Sequence, residues 1–176
     1  MPCDYPSSVT AFGRATFSHK GRRKRPRVFE RTTVPHDHDL EESLVLRPKF
    51  DAAGLVTCVT TDAGSGDVLM VAHMNDEALR RTIETGDAWY YSRSRQALWR
   101  KGESSGKVQR VVEMRMDCDQ DAVWIRVEQQ GGAACHTGRR SCFYRAITRG
   151  DDGAAKVSFV DADKLFDPTK VYSQGS

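Results

Sequence analysis

The chain lacks any apolar run approaching the ~20 residues a membrane-spanning helix requires. It also lacks the charged start and apolar stretch of a secretory signal. The expected compartment is therefore the reducing cytoplasm, where disulfides are rare. Five cysteines in such a chain are read as metal ligands, nucleophiles or small core residues. There is no C-x2-C pair, which excludes a zinc ribbon or finger. The H-x-E and P-C-x-x-C signatures of zinc nucleobase deaminases are missing too. No internal repeat is present. Nor does the body of the chain carry an excess of one charge. Residues 1–50 hold ten Lys/Arg against six Asp/Glu, and the remainder holds seventeen against eighteen. The pI of about 8.6 thus reflects the N-terminal stretch and does not mark the rest as a nucleic-acid binder.

What is present fits one soluble domain with an arm. The 176 residues are 39% hydrophobic and 29% charged, enough to bury a core without staples. Residues 1–45 show no sustained apolar period and read as a flexible basic arm, followed by a domain over 46–170 and a tail over 171–176. Within the arm, RRKRPR (22–27) is either a solvated basic run or a nucleic-acid or localisation element. PHDHD (35–39) is either inert or a weak metal grip.

Patterning predicts a β-rich domain. LVTCVTT (55–61) and VLMVAHM (68–74) read as strands of a hairpin closed by DAGSGD. Asn75 caps a helix with Asp76 and Glu77 in its first turn, Leu79 and Ile83 on one face, and Gly86 as its stop. AWYYS (88–92) is a strand, and SRSRQALWRKGESSGKVQ (92–109) a polar loop. VQRVVEMRM (108–116) and DAVWIRVEQ (121–129) alternate as half-buried strands do. GGAACHTGRRS (131–141) is a loop, FYRAIT (143–148) and KVSFV (156–160) are short strands, and DADKLFDPT adds a helical turn. The fold class is α+β and β-rich, with a mixed twisted sheet or pseudo-barrel and one or two short helices. Cys58 reads as a small core residue and His73 as a core or cleft histidine. Trp89, Tyr90 and Tyr91 read as strand residues of the core, with base stacking as the alternative.

Two stretches carry metal-ligand chemistry. Asp117, Asp119 and Asp121 recur at every second residue, and on an extended strand they share one face. Three such carboxylates repel and favour a hard cation such as Mg2+, Mn2+ or Ca2+. DCDQDAVWIRVE comes close to an EF-hand calcium loop, but Ala122 occupies the position where that loop needs glycine, and strand-like residues follow. On the same extended backbone Cys118 faces away from the aspartates, which implies a second site. Its partners are Cys135 and Cys142, spaced C-x16-C-x6-C. Three thiolates select Zn2+ and leave one tetrahedral position. His136 in that position closes the site and makes it structural. Water there leaves it open and catalytic, with His136 free to move protons. Arg93, Arg95, Arg100 and Lys101 before GESSGKVQ, together with Arg139 and Arg140, supply cations suited to phosphate oxygens.

WYYSRSRQALWRKGESSGKVQ (89–109), DCDQDA (117–122) and CHTGRRSCFYR (135–145) together closely resemble the phosphoribosyl-AMP cyclohydrolase family, which catalyses the third step of histidine biosynthesis. The resemblance spans roughly residues 46–147. It implies hydrolysis of the purine N1–C6 bond of 1-(5-phosphoribosyl)-AMP to a formimino-aminoimidazole carboxamide ribonucleotide, with attack on C6 by zinc-bound hydroxide. It further implies Zn2+ on Cys118, Cys135 and Cys142, and Mg2+ on Asp117, Asp119 and Asp121. His136 is the implied proton-transfer group, and Arg95, Lys101, Glu103, Ser105 and Gln109 are the implied substrate contacts. Members of the family are homodimers with shared sites, Cys118 serving a zinc of the partner chain. Thirty-one residues follow Arg145, too few for the pyrophosphohydrolase domain fused to many relatives, so a monofunctional enzyme is expected.

The alternative from a different class is a zinc-stabilised nucleic-acid-binding module using the basic arm. The two readings separate experimentally. Deleting residues 1–44 leaves turnover unchanged if the chain is an enzyme of this family. If it is a binding module, the deletion abolishes a salt-dependent nucleic-acid complex, measured by titration at two salt concentrations.

Overall fold

The computed structural model of the chain describes residues 41–172. RRKRPR, PHDHD and Cys3 lie outside the described residues. Among the described residues eight strands and two short helices follow one another: β1 (Val56–Asp62), β2 (Val68–Met74), α1 (Asp76–Thr85), β3 (Trp89–Ser92), β4 (Ala97–Arg100), β5 (Gln109–Met116), β6 (Ala122–Gln129), β7 (Arg145–Arg149), β8 (Ala155–Phe159) and α2 (Pro168–Tyr172). The main sheet has the order β2-β1-β6-β5. Its outer pairs are antiparallel, and the central pair β1/β6 is parallel, with Thr57 opposite Ala122 and Asp62 opposite Val127. The sheet is mixed, as expected. It is open, with β2 and β5 as its edges, so the pseudo-barrel alternative does not hold.

Period-two patterning builds this sheet. Val56, Cys58 and Thr60 on β1 point inward with Val123, Ile125 and Val127 on β6, and Leu69, Met70 and Met74 join them from β2. Each fully buried aliphatic chain of this set contributes roughly 1.5–3 kcal/mol by leaving water. On β5 the register skips Val112, a bulge that leaves this valine exposed.

The helix begins and ends where its capping residues stand. The Asn75 side chain accepts the Ala78 N–H at 2.9 Å, and Gly86 adopts φ +69° while donating its N–H to the Thr82 carbonyl. Ala78, Leu79 and Thr82 form the buried stripe, whereas Ile83 is exposed. The expected Leu79/Ile83 face is therefore wrong by one position, because Thr82 takes the contact. Its hydroxyl donates to the Ala78 carbonyl and accepts the Trp89 N–H at 3.0 Å, which ties α1 to β3.

The polar stretch 92–109, expected to be a loop, contains β4. The turn at Gln96, in left-handed conformation at φ +48°, folds Ala97–Arg100 back onto β3. Four residues are too few for alternation to be read from sequence. The hairpin packs through Tyr90, whose ring meets Trp99 at 5.0 Å. The Tyr90 hydroxyl is fully buried. It contacts Thr60 Oγ1 at 2.9 Å and donates to Gln109 Oε1 at 2.7 Å, and Gln109 Nε2 passes on to Gln129 Oε1 at 2.8 Å. At the C-terminal end Asp167 caps α2 by accepting the Thr169 N–H, with Pro168 at the first helical position.

Burial pushes the Cys58 thiol up to about 12 and the Tyr90 phenol well above its ordinary value. Both groups hold their protons more tightly folded than unfolded, so their contribution is intact at neutral pH, and that of Cys58 is lost as pH rises from about 9 toward about 12. Cys58→Ala removes one of the two. It is expected to flatten the loss of stability between about pH 9 and 11 by roughly 1 kcal/mol per pH unit, measured by urea unfolding.

Candidate active site

A cavity of about 390 Å³ opens between the β3–β4 hairpin, the loop that follows it and the cysteine loop. Arg95, Lys101, Glu103 and Ser105 line it from one side, and His136 and Cys142 from the other. Residues about forty apart in sequence thus share one cleft. Trp99, Arg100 and Met70 complete the wall.

The first side is shaped by short local bonds. Arg95 N–H and Nε donate to Ser92 Oγ, each at 3.3 Å, and its guanidinium lies 5.9 Å from the Trp99 ring centre. Lys101 N–H donates to the Ala88 carbonyl and Gly106 N–H to that of Gly102, which curls residues 101–107 back on themselves. Gly102 takes φ +87° with no room for a Cβ against the Lys107 and Val108 backbone.

The second side is the cysteine loop. It is pinned to the sheet by Cys142 N–H on the Leu69 carbonyl at 2.8 Å and by Ser141 Oγ on Val68 O at 2.7 Å. Its two arginines point different ways. Arg140 bonds Ser65 Oγ at 2.8 Å and pairs with Asp67 in the β1–β2 turn, while Arg139 is buried with its guanidinium 4.2 Å from the Tyr144 ring centre and 5.2 Å from that of Phe159.

Lys101 joins the two sides. Its buried ammonium donates to the Ala134 carbonyl at 2.6 Å, directly before Cys135. Burial lowers its pKa, opposed by the charge that Cys142 and Cys135 carry as thiolates. Cys142 is pushed up to about 12 by burial and by the neighbouring Cys135, with Lys101 pulling the other way. Two adjacent thiols beside a cleft are soft donors that repel as thiolates and are relieved by a soft cation. The donor set therefore fits zinc.

The aspartates converge, but not as expected. Residues 117–121 form the β5–β6 turn rather than an extended strand. Asp117 N–H bonds the Ala122 carbonyl, Asp117 Oδ1 accepts the Ala122 N–H at 2.9 Å, and Gln120 sits at φ +60°. The turn, not alternation, brings carboxylate oxygens of Asp117, Asp119 and Asp121 within 4.8 Å of one another. Desolvation and then the Asp119 carboxylate raise the Asp121 pKa, with Asp117 adding to the shift and Lys49 opposing it. The mutual repulsion fits a hard cation. Cys118 is exposed in the same turn, so the expected opposite face from the aspartates does not follow from strand alternation, and it stands on a different element from Cys135 and Cys142. Among the described residues the aspartates form the single group of three or more potential ligands at such distances.

Gln109, expected to touch substrate, does not line the cleft. It is fully buried, and its amide is used by Tyr90, Gln129 and Met70. Tyr90 is core, as expected. Trp89 packs on the helix under Arg81, and Trp99 is the aromatic residue that faces the cavity. A tryptophan inside a polar stretch was the available signal for it. His73 is partly buried, with its pKa lowered first by burial and then by Arg93.

A cleft with cationic and hydroxyl groups on one wall and His136 and Cys142 on the other suits a small anionic ligand beside a thiol pair. The family model for phosphoribosyl-AMP cyclohydrolase matches residues 70–144. A relative of that name from Nitrobacter hamburgensis is 75% identical over 146 residues, 83% of this chain and 99% of its own length. One from Bradyrhizobium diazoefficiens is 73% identical over 139 residues, 79% of this chain and 98% of its own. One from Rhodopseudomonas palustris is 74% identical over 136 residues, 77% and 92% respectively. The chain belongs to the phosphoribosyl-AMP cyclohydrolase family. Among its described residues no helix is long and apolar enough to cross a membrane.

Gly102→Ala is expected to displace the 101–107 loop without unfolding the sheet. Trypsin should cut after Lys101 or Lys107 at least about tenfold faster, because local opening exposes a lysine now buried, while the far-ultraviolet circular dichroism stays unchanged.

Proposed function

We infer that the protein hydrolyses the N1–C6 bond of 1-(5-phosphoribosyl)-AMP, opening the adenine ring to the formimino-aminoimidazole carboxamide ribonucleotide in histidine biosynthesis, as a homodimer in the cytoplasm. The observation that carries this reading is the single cleft uniting Arg95, Lys101, Glu103 and Ser105 with His136 and Cys142.

The substrate bears two phosphate groups, and the wall with Arg95 and Arg100 offers cations to them. The Ser104 and Ser105 hydroxyls on the same wall are suited to phosphate or ribose oxygens. Trp99 gives the purine an apolar face. Cys135, Cys142 and a third thiolate would hold zinc, which when bound would supply an activated water. The phosphoribosyl group on N1 gives the ring iminium character and makes C6 electrophilic. As the N1–C6 bond breaks, the water oxygen stays on C6 as the carboxamide oxygen and a proton passes to N1. His136, exposed at the cleft, is the group to move it. Asp117, Asp119 and Asp121 hold Mg2+ in this reading.

Cys118 is the third thiolate, given to the zinc of a partner chain. Its exposure, its place beside a different pocket from Cys142, and the absence of a three-cysteine cluster among the described residues support that assignment. Gln109 acts from the core, through the β5 end it anchors, rather than on the substrate.

Chelator-sensitive turnover of phosphoribosyl-AMP, followed by the ultraviolet change of ring opening, is the expected result. Folded, zinc-containing protein without turnover refutes the reading. Cys135→Ser and Cys118→Ser should each abolish activity. Mixing the two variants should restore about a quarter of it, since half of the dimers pair unlike chains and each carries one intact site. No recovery from a mixture shown to exchange subunits rules out shared sites.

A further inference from the structure

The match to the family model ends at residue 144, and the chain beyond it returns to the two loops that border the cleft. The β7–β8 hairpin is fastened by Arg139, stacked on Tyr144 and Phe159, and leads to the irregular segment Lys164–Phe166. There Leu165 N–H donates to the Gly138 carbonyl at 2.8 Å, inside the cysteine loop. Gly138 adopts φ +91°, and a Cβ on it would strike the Phe166 carbonyl oxygen. Only glycine lets the two backbones lie this close. The same segment meets the opposite wall. The Lys107 ammonium, at the end of the 101–107 loop, lies 4.5 Å from the centre of the Phe166 ring and donates to the Gly131 carbonyl at 3.4 Å. Phe166 thus touches the cysteine loop with its backbone and the glycine- and serine-bearing loop with its ring.

We propose that Lys164–Phe166 is a strap that holds the two walls of the cleft in register, with Phe166 as a positioning residue for substrate. The proposal rests on the reading of these loops as the metal and substrate walls. Neither contact is strong by itself. They come from adjacent residues, Leu165 on the cysteine loop and Phe166 on the 101–107 loop, and the relative placement of those loops must be kept to within about 1 Å for efficient reaction. The family motifs do not contain the strap, but the chain supplies the glycine and the cation that receive it.

The test uses the full-length, zinc-loaded protein. Phe166→Ala is expected to raise KM for phosphoribosyl-AMP about three- to fivefold, with a smaller change in kcat. Amide exchange should accelerate in both 102–107 and 131–138 while β1 and β6 stay protected. Phe166→Tyr, which keeps the ring face, should restore both readouts, and Phe166→Leu should restore neither. Rescue by leucine, exchange that accelerates evenly across the fold, or no change in either loop overturns the strap. If Phe166→Ala does not fold, Lys107→Gln must reproduce the KM and exchange changes from the other side of the contact. Lack of turnover in the unmodified protein would refute the functional reading instead, and exchange would still decide the strap.

Discussion

The contact on which the cleft depends is the hydrogen bond from the buried Lys101 ammonium to the Ala134 carbonyl. A charge that has left water requires a partner held in place, and removing the partner leaves an uncompensated ion. The bond therefore does more than join two loops. It obliges the chain on either side of Cys135 to stay beside the hairpin that carries Arg95 and Trp99. The hairpin rests on Tyr90, Tyr90 on Thr60 and Gln109, and Gln109 on Gln129, so the wall is referred back to the central strands of the sheet. A shift of the sheet would be felt at the thiols.

The two clusters of like groups obey a common rule. Cys142, beside Cys135, and Asp121, beside Asp119 and Asp117, both hold their protons more tightly than isolated groups of their kind. In each case desolvation and a like neighbour act together, and each cluster is relaxed by a cation suited to its donors, soft for sulfur and hard for oxygen. The fold keeps them on different elements, the cysteine loop and the β5–β6 turn, so one cation does not compete for the other's ligands within a chain.

Much of the fold was legible because local rules govern it. The β1–β2 hairpin, the Asn75 cap, the Gly86 stop and the alternation of β6 follow from residue type and period, and all stand where expected. The failures lie where distant contacts override those rules. β4 is four residues long and exists through its pairing with β3. Ile83 yields to Thr82 because the β3 backbone offers hydrogen bonds to a hydroxyl. The aspartates converge through a turn closed by Asp117 and Gln120, a conformation that a repeat of every second residue does not announce.

The sequence by itself determined the chemistry: soft and hard donor sets, a cationic loop with serines, and a family whose motifs carry one reaction. Those properties belong to residue type and spacing, which the backbone preserves locally. Tertiary structure alone decided which of these side chains meet. It placed Gln109 in the core and Trp99 at the cleft, separated Cys118 from Cys135 and Cys142, and brought Phe166 over Lys107. Each of those outcomes is set by strand register and by the close approach of backbones far apart in sequence, and neither is encoded within any single segment.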